Sequence, residues 1–465
     1  MKLAGTRVLV AGAGVTGRSV TEALTELGAH VTVTDGNADR LAELDGLGAT
    51  LAPGLDTPPA GTELVVTSPG WRPTAPLLVA AAEAGIEVIG DVELAWRLGQ
   101  ERERPPAWLV VTGTNGKTTT VGMLESMLRA AGADAVACGN VGFAVLDAVR
   151  AGHDVLAVEL SSFQLHWSST LAPRASVVLN VAEDHLDWHG GLEAYAAAKG
   201  TVHARSSTVV HNAGEAWSQR LADEYAPEGA RRVGFRLDTP RPGELGTVED
   251  LLVDRAYVAD PVQGAEELAT LSDVRPMGPH NVANALAAAA LARAHGIPSA
   301  AVAEGLRAFT PGAHRAVVVD EVDGVRYVND SKATNPHAAA GSLLAQDGVV
   351  WIAGGQLKGA SVDELVAGVA ARLRGVVLLG VDADVIGAAV ARHAPDVPVT
   401  RVDPGDHDPM TSAVNAAHAL ASAGDAVVLA PAAASLDMFR DYAVRGEAFT
   451  AAVGALRRER LGDGG

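Results

Sequence analysis

The feature that most constrains this chain is an apolar strand that runs directly into a glycine loop and then into a helix. The strand WLVVT is followed by Gly113, Thr114, Asn115, Gly116, Lys117, Thr118 and Thr119. Small residues leave backbone N–H groups open to phosphate oxygens, the lysine supplies positive charge, and a threonine hydroxyl suits Mg²⁺. The strict phosphate-loop pattern is broken by Val111, which stands where a glycine is expected. We therefore predict a nucleotide-phosphate site at this junction.

Two polar residues at neighbouring strand ends complete a predicted magnesium site. Glu159 ends the strand DVLAVE, and His185 follows the strand ASVVLNV. Phosphoryl transfer needs a metal ion, and hard oxygen or imidazole ligands are suited to hold it. Either residue alone would as readily be an ordinary polar residue at a strand end. Together with Thr118 they can surround one Mg²⁺ and leave positions for phosphate oxygens.

The charge balance argues against nucleic acids and anionic membranes as partners. The chain has 36 Lys+Arg and 56 Asp+Glu, a formal charge of −20, so its overall field repels polyanions. Anionic ligands must be held by local devices such as loop amides, single lysines or a metal ion. The single cysteine, Cys138, fits a reducing compartment, and we find neither a signal peptide nor a membrane-spanning apolar run. We expect a cytoplasmic protein.

Short β-branched strands alternate with helical stretches, which predicts an α/β fold with mostly parallel sheets. At roughly 150 residues per domain, a chain of 465 residues suggests about three domains. The proline-containing stretch 99–108 and the stretch FTPGAHR at 309–315 indicate linkers. The acidic, Pro/Gly-rich segment 226–278, with strand-like pieces such as RAYVA, indicates a peripheral β excursion. We predict domains at residues 1–104, 105–311 and 312–465.

A second glycine motif lies near the start of the chain. Gly12, Gly14 and Gly17 match G-x-G-x-x-G between an apolar strand and a helix, and Asp35 ends the next strand. This context is typical of a loop that binds nucleotide phosphates, with the aspartate accepting hydrogen bonds from a ribose or a base. A tight turn without a ligand and an NAD-dependent oxidoreductase are alternatives for this motif. The oxidoreductase would leave the lysine-containing loop unexplained.

Eight short motifs occur in one order along nearly the whole chain: GTNGKTT, ELSSFQL, NVAEDHLD, YAAAKG, HNVANALAA, PGAHR, NDSKATNP and APAAASLD. Together they resemble the Mur ligases of peptidoglycan synthesis, and SSFQL and NDSKATNP resemble the members that add D-glutamate. The resemblance implies a Rossmann-like N-terminal domain for a UDP-sugar and a central P-loop-type ATPase domain with a mostly parallel sheet. It also implies a Rossmann-like C-terminal domain for the amino acid.

The resemblance implies the reaction as well. In the family, ATP phosphorylates the alanyl carboxylate of UDP-N-acetylmuramoyl-L-alanine, and the amine of D-glutamate attacks the acyl phosphate, giving an amide, ADP and phosphate. The implied cofactors are ATP and two Mg²⁺ ions, with Lys199 of YAAAKG carbamylated by CO₂. An ammonium ion cannot bind Mg²⁺, whereas a carbamate is a carboxylate on a long arm. The expected partners are these two small-molecule substrates, and we expect a monomer.

Carried over position by position, the resemblance assigns five groups of site residues. The catalytic group is Lys117, His185, Lys199, Arg315 and Lys332. The ATP-binding group is Gly113, Thr114, Asn115, Gly116, Lys117, Thr118, Thr119, Asn140, Asn284, His314, Arg315 and Asp330. The metal ligands are Thr118, Glu159, His185 and carbamylated Lys199. The UDP-sugar group is Val15, Thr16, Asp35, Ser68 and Gly70, and the D-glutamate group is Lys332, Thr334, Lys358, Ser435 and Tyr442.

Several assignments stay open at this stage. His314 can equally be a structural histidine, and Asp330 can contact a ribose or pair with Lys332. Asn37 stands where the family often has arginine, so that contact is absent or supplied elsewhere, with Arg18 and Arg72 as the candidates. Tyr442 adds a hydroxyl to a ring position. Other open functions are a slowly hydrolysing nucleotide-gated binding protein, ligases for L-alanine or diamino acids, and folylpolyglutamate synthase.

Overall fold

The computed structural model describes residues 1–140, 142–403 and 405–462, which build three α/β layers around three β-sheets. They divide into two compact units. The first comprises Met1–Val181, His185–Val274 and Val282–Phe309; the second comprises Ala182–Asp184, Arg275–Asn281 and the described chain from Thr310 onward. The α/β class predicted from the sequence is confirmed. The three domain boundaries remain predictions.

The N-terminal sheet has five strands, all parallel. Its elements are β1 (Arg7–Ala11), α1 (Val15–Glu26), β2 (His30–Thr34), α2 (Ala38–Ala42), β3 (Thr50–Leu51), β4 (Leu64–Thr67), α3 (Pro76–Glu83), β5 (Glu87–Gly90) and α4 (Asp91–Gln100). The strand order is β3-β2-β1-β4-β5. Because every strand runs the same way, the glycine motif after β1 and the loop after β4 meet at one edge of the sheet.

The central sheet has nine strands in the order β14-β13-β12-β11-β10-β9-β6-β8-β7. Its elements are β6 (Ala107–Thr112), α5 (Lys117–Ala130), β7 (Ala135–Gly139), α6 (Val145–Ala151), β8 (Val155–Glu159), α7 (Ser162–His166), β9 (Ala175–Val178), α8 (Leu186–His189), α9 (Leu192–Gly200), β10 (Thr208–Asn212), α10 (Ala216–Tyr225), β11 (Arg231–Phe235), β12 (Glu244–Val248), β13 (Leu251–Asp254), β14 (Glu266–Thr270), α11 (Pro279–Ala294) and α12 (Ser299–Ala308). Strands β6 to β12 pair in parallel, and β12, β13 and β14 pair antiparallel. The linker predicted at residues 99–108 is shorter in the structure and spans residues 101–106, because α4 ends at Gln100 and β6 begins at Ala107.

The predicted β excursion is present as strands β11 to β14, but RAYVA is not one of its strands. These residues form bends directly after β13. The carboxylate of Asp254 accepts hydrogen bonds from the backbone N–H groups of Ala256 at 2.7 Å and Tyr257 at 2.9 Å. This local turn consumes the donors that a strand would need. The guanidinium of Arg231 lies 4.4 Å from the Tyr257 ring centre and covers the turn.

The C-terminal sheet has six strands in the order β15-β16-β20-β17-β18-β19. Its elements are β15 (Val317–Val322), β16 (Val325–Asn329), α13 (Pro336–Leu344), β17 (Val349–Gly354), α14 (Asp363–Val369), β18 (Leu373–Leu379), α15 (Ala383–His393), β19 (Val399–Arg401), α16 (Pro409–Leu420), β20 (Ala426–Leu429) and α17 (Tyr442–Gly462). Strands β15 and β16 form an antiparallel hairpin, and all other pairings are parallel. Across residues 1–140, 142–403 and 405–462, no helix has the length and apolar character to cross a bilayer.

A buried carboxylate joins the N-terminal layer to the central layer inside the first unit. Glu93 of α4 is fully buried, and its Oε2 accepts from the N–H groups of Ser169 at 2.9 Å and Thr170 at 3.0 Å. Its Oε1 accepts from the Thr170 hydroxyl at 2.5 Å and from Arg97 at 2.8 Å. Burial raises the pKa of Glu93, but these donors outweigh burial and hold it below its usual value. The segment after α7 is thereby fixed to helix α4.

A second buried ionisable group lies in the central layer. His203 is completely buried in the 3₁₀ turn that follows α9, and its Nδ1 lies 2.8 Å from the Ser176 hydroxyl. Burial, with smaller contributions from His211 and Arg232, lowers the pKa of His203 to about 3. The native state therefore keeps this imidazole neutral. A histidine in the unfolded chain titrates near about 6.5.

Stability should fall as the pH drops below about 6.5, because the unfolded state then binds a proton that the native state excludes. From about pH 7.5 to about pH 5, His203 should lower the free energy of unfolding by roughly 2 kcal/mol. Urea unfolding followed by circular dichroism checks this, and His203→Asn should show a smaller pH dependence of the midpoint. His30→Gln removes an exposed histidine and is the matched control. Equal pH dependence in all three proteins would contradict the assignment.

Candidate active site

The lysine-containing glycine loop connects β6 to α5 and is fixed by contacts from two other segments. Gly116 has φ of 86°, and a Cβ there would lie 2.3 Å from the Asn284 side-chain oxygen of α11. Asn180, after β9, accepts from the Asn115 N–H at 2.9 Å and donates to the Asn115 carbonyl at 3.1 Å. The loop is therefore held open at the N-terminus of α5, where backbone N–H groups favour an anion.

Two lysines converge on one carbonyl oxygen of this loop. The Nζ of Lys117 and the Nζ of Lys199 each lie 2.9 Å from the Gly113 carbonyl oxygen. Lys199 is 1% exposed, and its ammonium lies 4.4 Å from the ring centre of Tyr195, one helical turn earlier in α9. The Tyr195 hydroxyl is 3.2 Å from that of Thr114. Lys117 and Lys199, which are 82 positions apart in the chain, therefore meet at one carbonyl oxygen. Their roles toward the nucleotide and a metal ion remain predictions.

A buried glutamate stands beside the loop. Glu159, at the end of β8, is 3% exposed. Its Oε2 accepts from the Thr118 hydroxyl at 2.6 Å, and its Oε1 accepts from the Asn140 amide at 2.9 Å. Within the described residues no three His, Cys, Asp or Glu side chains converge as a complete ligand set. Mg²⁺ usually takes one or two protein oxygens and fills its shell with water and substrate phosphate, so Glu159 and Thr118 fit this ion.

His185 precedes α8 with its backbone in the left-handed region, at φ of 52°. Its ring centre lies 4.7 Å from that of Phe163 on α7, and Phe163 also stacks on His189 at 5.6 Å. Burial, followed by the charge of Lys199, lowers the pKa of His189 to about 4. The aromatic contacts therefore fix the segment that carries His185 against α7, which begins three residues after Glu159.

The first glycine motif and the loop after β4 form a second set of contacts. Asp35 accepts the Ala13 N–H at 2.7 Å and the Asn37 N–H at 2.8 Å, so its carboxylate braces the glycine loop. A Cβ on Gly12 would lie 2.4 Å from the Ser68 hydroxyl oxygen. That hydroxyl is buried and lacks a hydrogen-bond partner within the described chain, which leaves it available to a ligand. Val15 and Thr16 open α1, and Gly70 lies two residues after Ser68.

Asn37 and the two arginines that could replace the family's arginine, Arg18 and Arg72, have partners within the chain. Asn37 accepts hydrogen bonds from Asp39 and Arg40 and so caps α2. Arg18 pairs with Glu22 at 3.0 Å, and Arg72 pairs with Asp187 at 2.7 Å. Both arginines are exposed, so neither pair is held by burial.

The third set of residues lies on loops at the carboxyl ends of β16, β17 and β20, within the second unit. The Ala432 N–H donates to the Ala333 carbonyl at 2.9 Å, and Gln356 and Ala434 exchange two backbone hydrogen bonds. These contacts bring together the loops that carry Lys332, Thr334, Lys358 and Ser435. Lys358 is exposed with φ of 53°, and Ser435 is 4% exposed. The Lys332 ammonium lies 3.9 Å from the ring centre of Tyr442.

Asp330 and His314 lie beside these loops. Asp330 accepts from the Ser342 hydroxyl and the Ala316 N–H, while burial raises its pKa to about 6 and the charge of Arg315 opposes that rise. The His314 Nδ1 lies 3.1 Å from the Asn329 amide, which gives this ring a structural contact. Its carbonyl accepts the Lys332 N–H at 3.2 Å.

Sequence reasoning missed three residues that build these sites. Asn180 and Tyr195 hold the phosphate loop, and their position at a strand end and one turn before Lys199 could have indicated them. Arg445 of α17 is fully buried and donates to the carbonyl oxygens of Ser331 at 2.8 Å and Ala433 at 3.1 Å. No sequence pattern predicts that contact, because it depends on how α17 packs against the loops that carry Ser331 and Ala433.

Lysine usage is a further signal that sequence reasoning missed. Only five of the 36 Lys+Arg residues are lysines: Lys2, Lys117, Lys199, Lys332 and Lys358. All except Lys2 are assigned to the candidate site. Arginine stays charged and planar, whereas lysine is a compact charge whose amine can also react. Arginine is the usual cation in this chain, so four of its five lysines coincide with positions that the sequence assigns to the site.

These features define a nucleotide-dependent enzyme in which a phosphate-loop sheet is combined with two further α/β sheets. Comparison with known proteins identifies the family. Residues 111–292 match the Mur ligase middle domain, and residues 314–433 match the Mur ligase, glutamate ligase domain. The UDP-N-acetylmuramoylalanine–D-glutamate ligase of Thermobifida fusca (strain YX) is 59% identical over 98% of this chain and 100% of its own length. The chain belongs to the Mur ligase family.

Two further comparisons agree with this result. The protein of the same name from Streptomyces coelicolor is 55% identical over 98% of this chain and 99% of its own length. A crystal structure of UDP-N-acetylmuramate-alanine ligase from Thermotoga maritima shares the fold, with a TM-score of 0.58 and 17% identity over 97% of this chain and 99% of that one. Residues 2–69 also match the alanine dehydrogenase/PNT C-terminal domain. That match covers the first glycine motif and strands β1 to β4 and nothing of the other two sheets, so it does not support an oxidoreductase.

Replacing Gly116 by alanine should weaken nucleotide binding by at least about tenfold, because the new Cβ collides with Asn284 and forces the loop to move. Calorimetric titration with ATP and Mg²⁺ measures this. The matched control is Gly132→Ala, after α5, where φ is 81° but nothing lies within 4 Å of the added Cβ. That variant carries the same backbone strain and should bind as the wild type does. Equal losses in both would show that backbone strain, not the loop contact, is responsible.

Proposed function

We propose that this chain is a ligase that joins D-glutamate to UDP-N-acetylmuramoyl-L-alanine in peptidoglycan precursor synthesis, with conversion of ATP to ADP and phosphate. The observation that carries the proposal is the convergence of Lys117 and Lys199 on the Gly113 carbonyl, beside the buried Glu159. The names and full-length identities of the relatives support the choice of substrates.

The chemistry begins with a carboxylate that is unreactive toward amines. An oxygen of the alanyl carboxylate attacks the γ-phosphorus of ATP, the bond to the β-phosphate oxygen breaks, and ADP leaves. The amine of D-glutamate then attacks the acyl carbon, and the tetrahedral intermediate expels phosphate while the nitrogen loses a proton. Both steps gather negative charge, so positive charge at the phosphate loop lowers both barriers.

The phosphate loop supplies the first part of that charge. Lys117 and the N–H groups of Gly113 to Thr119 bind the β- and γ-phosphates, with Asn140 and Asn284 bracing the loop and the glutamate. Thr118, Glu159 and His185 would hold Mg²⁺, which when bound neutralises the phosphate oxygens. Hydrogen bonds from Thr118 and Asn140 fix the buried Glu159 carboxylate beside the loop.

Lys199 is proposed to act as a carbamate. An unmodified Lys199 ammonium would place a second positive charge on the same carbonyl that Lys117 already contacts. Reaction of the neutral amine with CO₂ forms an N–C bond and releases a proton, and the nitrogen keeps one N–H for the Gly113 carbonyl. The added carboxylate then offers hard oxygen ligands to a second Mg²⁺ at the end of a buried arm.

The two other sets of residues are assigned to the two substrates. The nucleotide sugar is assigned to Val15, Thr16, Asp35, Ser68 and Gly70, where the buried Ser68 hydroxyl lacks a described partner. D-glutamate carries two carboxylates, which Lys332, Thr334, Lys358 and Ser435 would bind so that its amine stays free. Arg315 would stabilise the transferring phosphoryl group, and His314 and Asp330 would border the nucleotide.

The remaining expectations belong to the same proposal. The domains are assigned to residues 1–104, 105–311 and 312–465, and the protein is proposed to act as a cytoplasmic monomer. Light scattering coupled to size exclusion tests the oligomeric state directly. A mass near 47.4 kDa supports the monomer, and twice that value rejects it.

Phosphate release with UDP-N-acetylmuramoyl-L-alanine, ATP and Mg²⁺ should require D-glutamate and should equal the amide formed. L-glutamate should support less than about a hundredth of that rate, since the wrong hand misplaces either the amine or a carboxylate. Lys117→Ala should lower kcat by at least about a hundredfold. Lys2→Ala, the lysine outside the site, is the control and should match the wild type. Steady ATP hydrolysis without an amino acid would instead favour the nucleotide-gated binding protein.

Lys199→Ala should lose nearly all activity, and short-chain carboxylic acids such as acetate should restore part of it by occupying the place of the carbamate. The rate at increasing acetate measures the rescue, with Lys117→Ala treated in parallel as the control. Acetate should leave Lys117→Ala inactive, because that lysine acts as a cation. Failure of acetate, formate and propionate alike would argue against the carbamate.

A further inference from the structure

We infer that Tyr442 is a positioning residue whose ring holds the Lys332 ammonium in place for the ligation step. The inference rests on the proposed function and assigns to Tyr442 a role different from the direct D-glutamate contact expected from the sequence. Its basis is the position of the Lys332 Nζ, 3.9 Å from the centre of the Tyr442 ring. An ammonium at this distance over an aromatic face is attracted by the ring quadrupole.

The contact is built on a rigid backbone. The Ser331 hydroxyl donates to the Tyr442 carbonyl at 2.7 Å, so the residue before Lys332 is tied to the residue that carries the ring. Buried Arg445 donates to the Ser331 hydroxyl at 3.0 Å and to the Ser331 carbonyl at 2.8 Å. Asp441 accepts the N–H groups of Ala443 and Val444 at 2.9 Å and fixes the first turn of α17. Both partners of the cation–π contact therefore start from fixed positions.

The Tyr442 ring is one restraint on the side chain of Lys332. A lysine has a flexible four-carbon stem and gives up considerable rotamer freedom when its ammonium is held at one point. The ring of Tyr442 restricts that freedom before substrate arrives, which leaves less entropy to be lost in the reacting complex. The ring face makes the contact, so the phenol hydroxyl is not required. A phenylalanine should therefore serve as well as tyrosine, and an aliphatic residue should not.

The kinetic test compares Tyr442→Phe with Tyr442→Leu. Tyr442→Phe should keep kcat/KM for D-glutamate within about twofold of the wild type, and Tyr442→Leu should lose about tenfold. The KM values for ATP and for the UDP-sugar substrate should stay within about twofold in both, which separates this role from a general loss of structure. Equal activity of the two variants would overturn the inference.

A double-substitution cycle separates positioning from direct contact with D-glutamate. In a Lys332→Met background, Tyr442→Leu should cause no further loss of the residual rate, because the ring then has no ammonium to hold. If Tyr442 instead touches D-glutamate itself, the tenfold loss should appear again in that background, and the inference falls.

Nuclear magnetic resonance detects the contact between Lys332 and Tyr442 without substrate turnover. With only five lysines, protein labelled with ¹³Cε-lysine should give five resolved lysine signals, and Lys332→Arg identifies the one from Lys332. The ring current of Tyr442 should shift the Lys332 ε-protons upfield of those of exposed Lys358. Tyr442→Phe should preserve the shift and Tyr442→Leu should abolish it.

The two kinds of failure are distinguishable. An upfield Lys332 signal in a protein that forms no amide would retain the contact and reject the proposed function. A ligase whose wild-type Lys332 signal coincides with that of Lys358 would reject the inference alone. The wild-type spectrum decides this even where Tyr442→Leu does not fold.

Discussion

The structure depends on one arrangement above all: two lysine side chains that share the carbonyl oxygen of Gly113. Two ammonium groups this close repel each other, and a bound anion or a charge-changing modification lowers that repulsion. In a chain with a formal charge of −20, such a concentration of positive charge is a local exception. The nine-stranded sheet positions these charged groups. It carries the phosphate loop on β6, Glu159 on β8 and, through β9 and α9, Lys199.

Much of the fold and site could be predicted from the sequence because the signals are local. Buried parallel strands appear as short apolar runs, and their ends carry the small and polar residues that the site needs. Gly116 and Lys117 sit at such an end, as do Glu159 and Ser68, and the structure places each at the expected edge of its sheet. The roles of these residues toward substrates remain proposals, but their grouping follows from parallel topology.

The rest could not be predicted because it depends on tertiary packing. RAYVA has strand-like composition, yet the Asp254 carboxylate one residue earlier takes its backbone donors and bends it. Arg445 lies in an ordinary-looking helix, and only the packing of α17 shows that its guanidinium ties Ser331 to Ala433. The contact of Lys332 with Tyr442, which are 110 residues apart in the chain, has the same origin.

The hydrogen bonds of Glu93 have a consequence for what the enzyme can accept. They fix α4 of the N-terminal layer to the segment that follows α7, so both belong to one compact unit. Under the proposed function, the uridine end of the nucleotide-sugar substrate binds to the N-terminal layer, and its reacting carboxylate lies at the central layer. Because both layers belong to one unit, the distance between the two binding positions is fixed, and a nucleotide-sugar substrate should be selected by the length of the link between its uridine and its carboxylate.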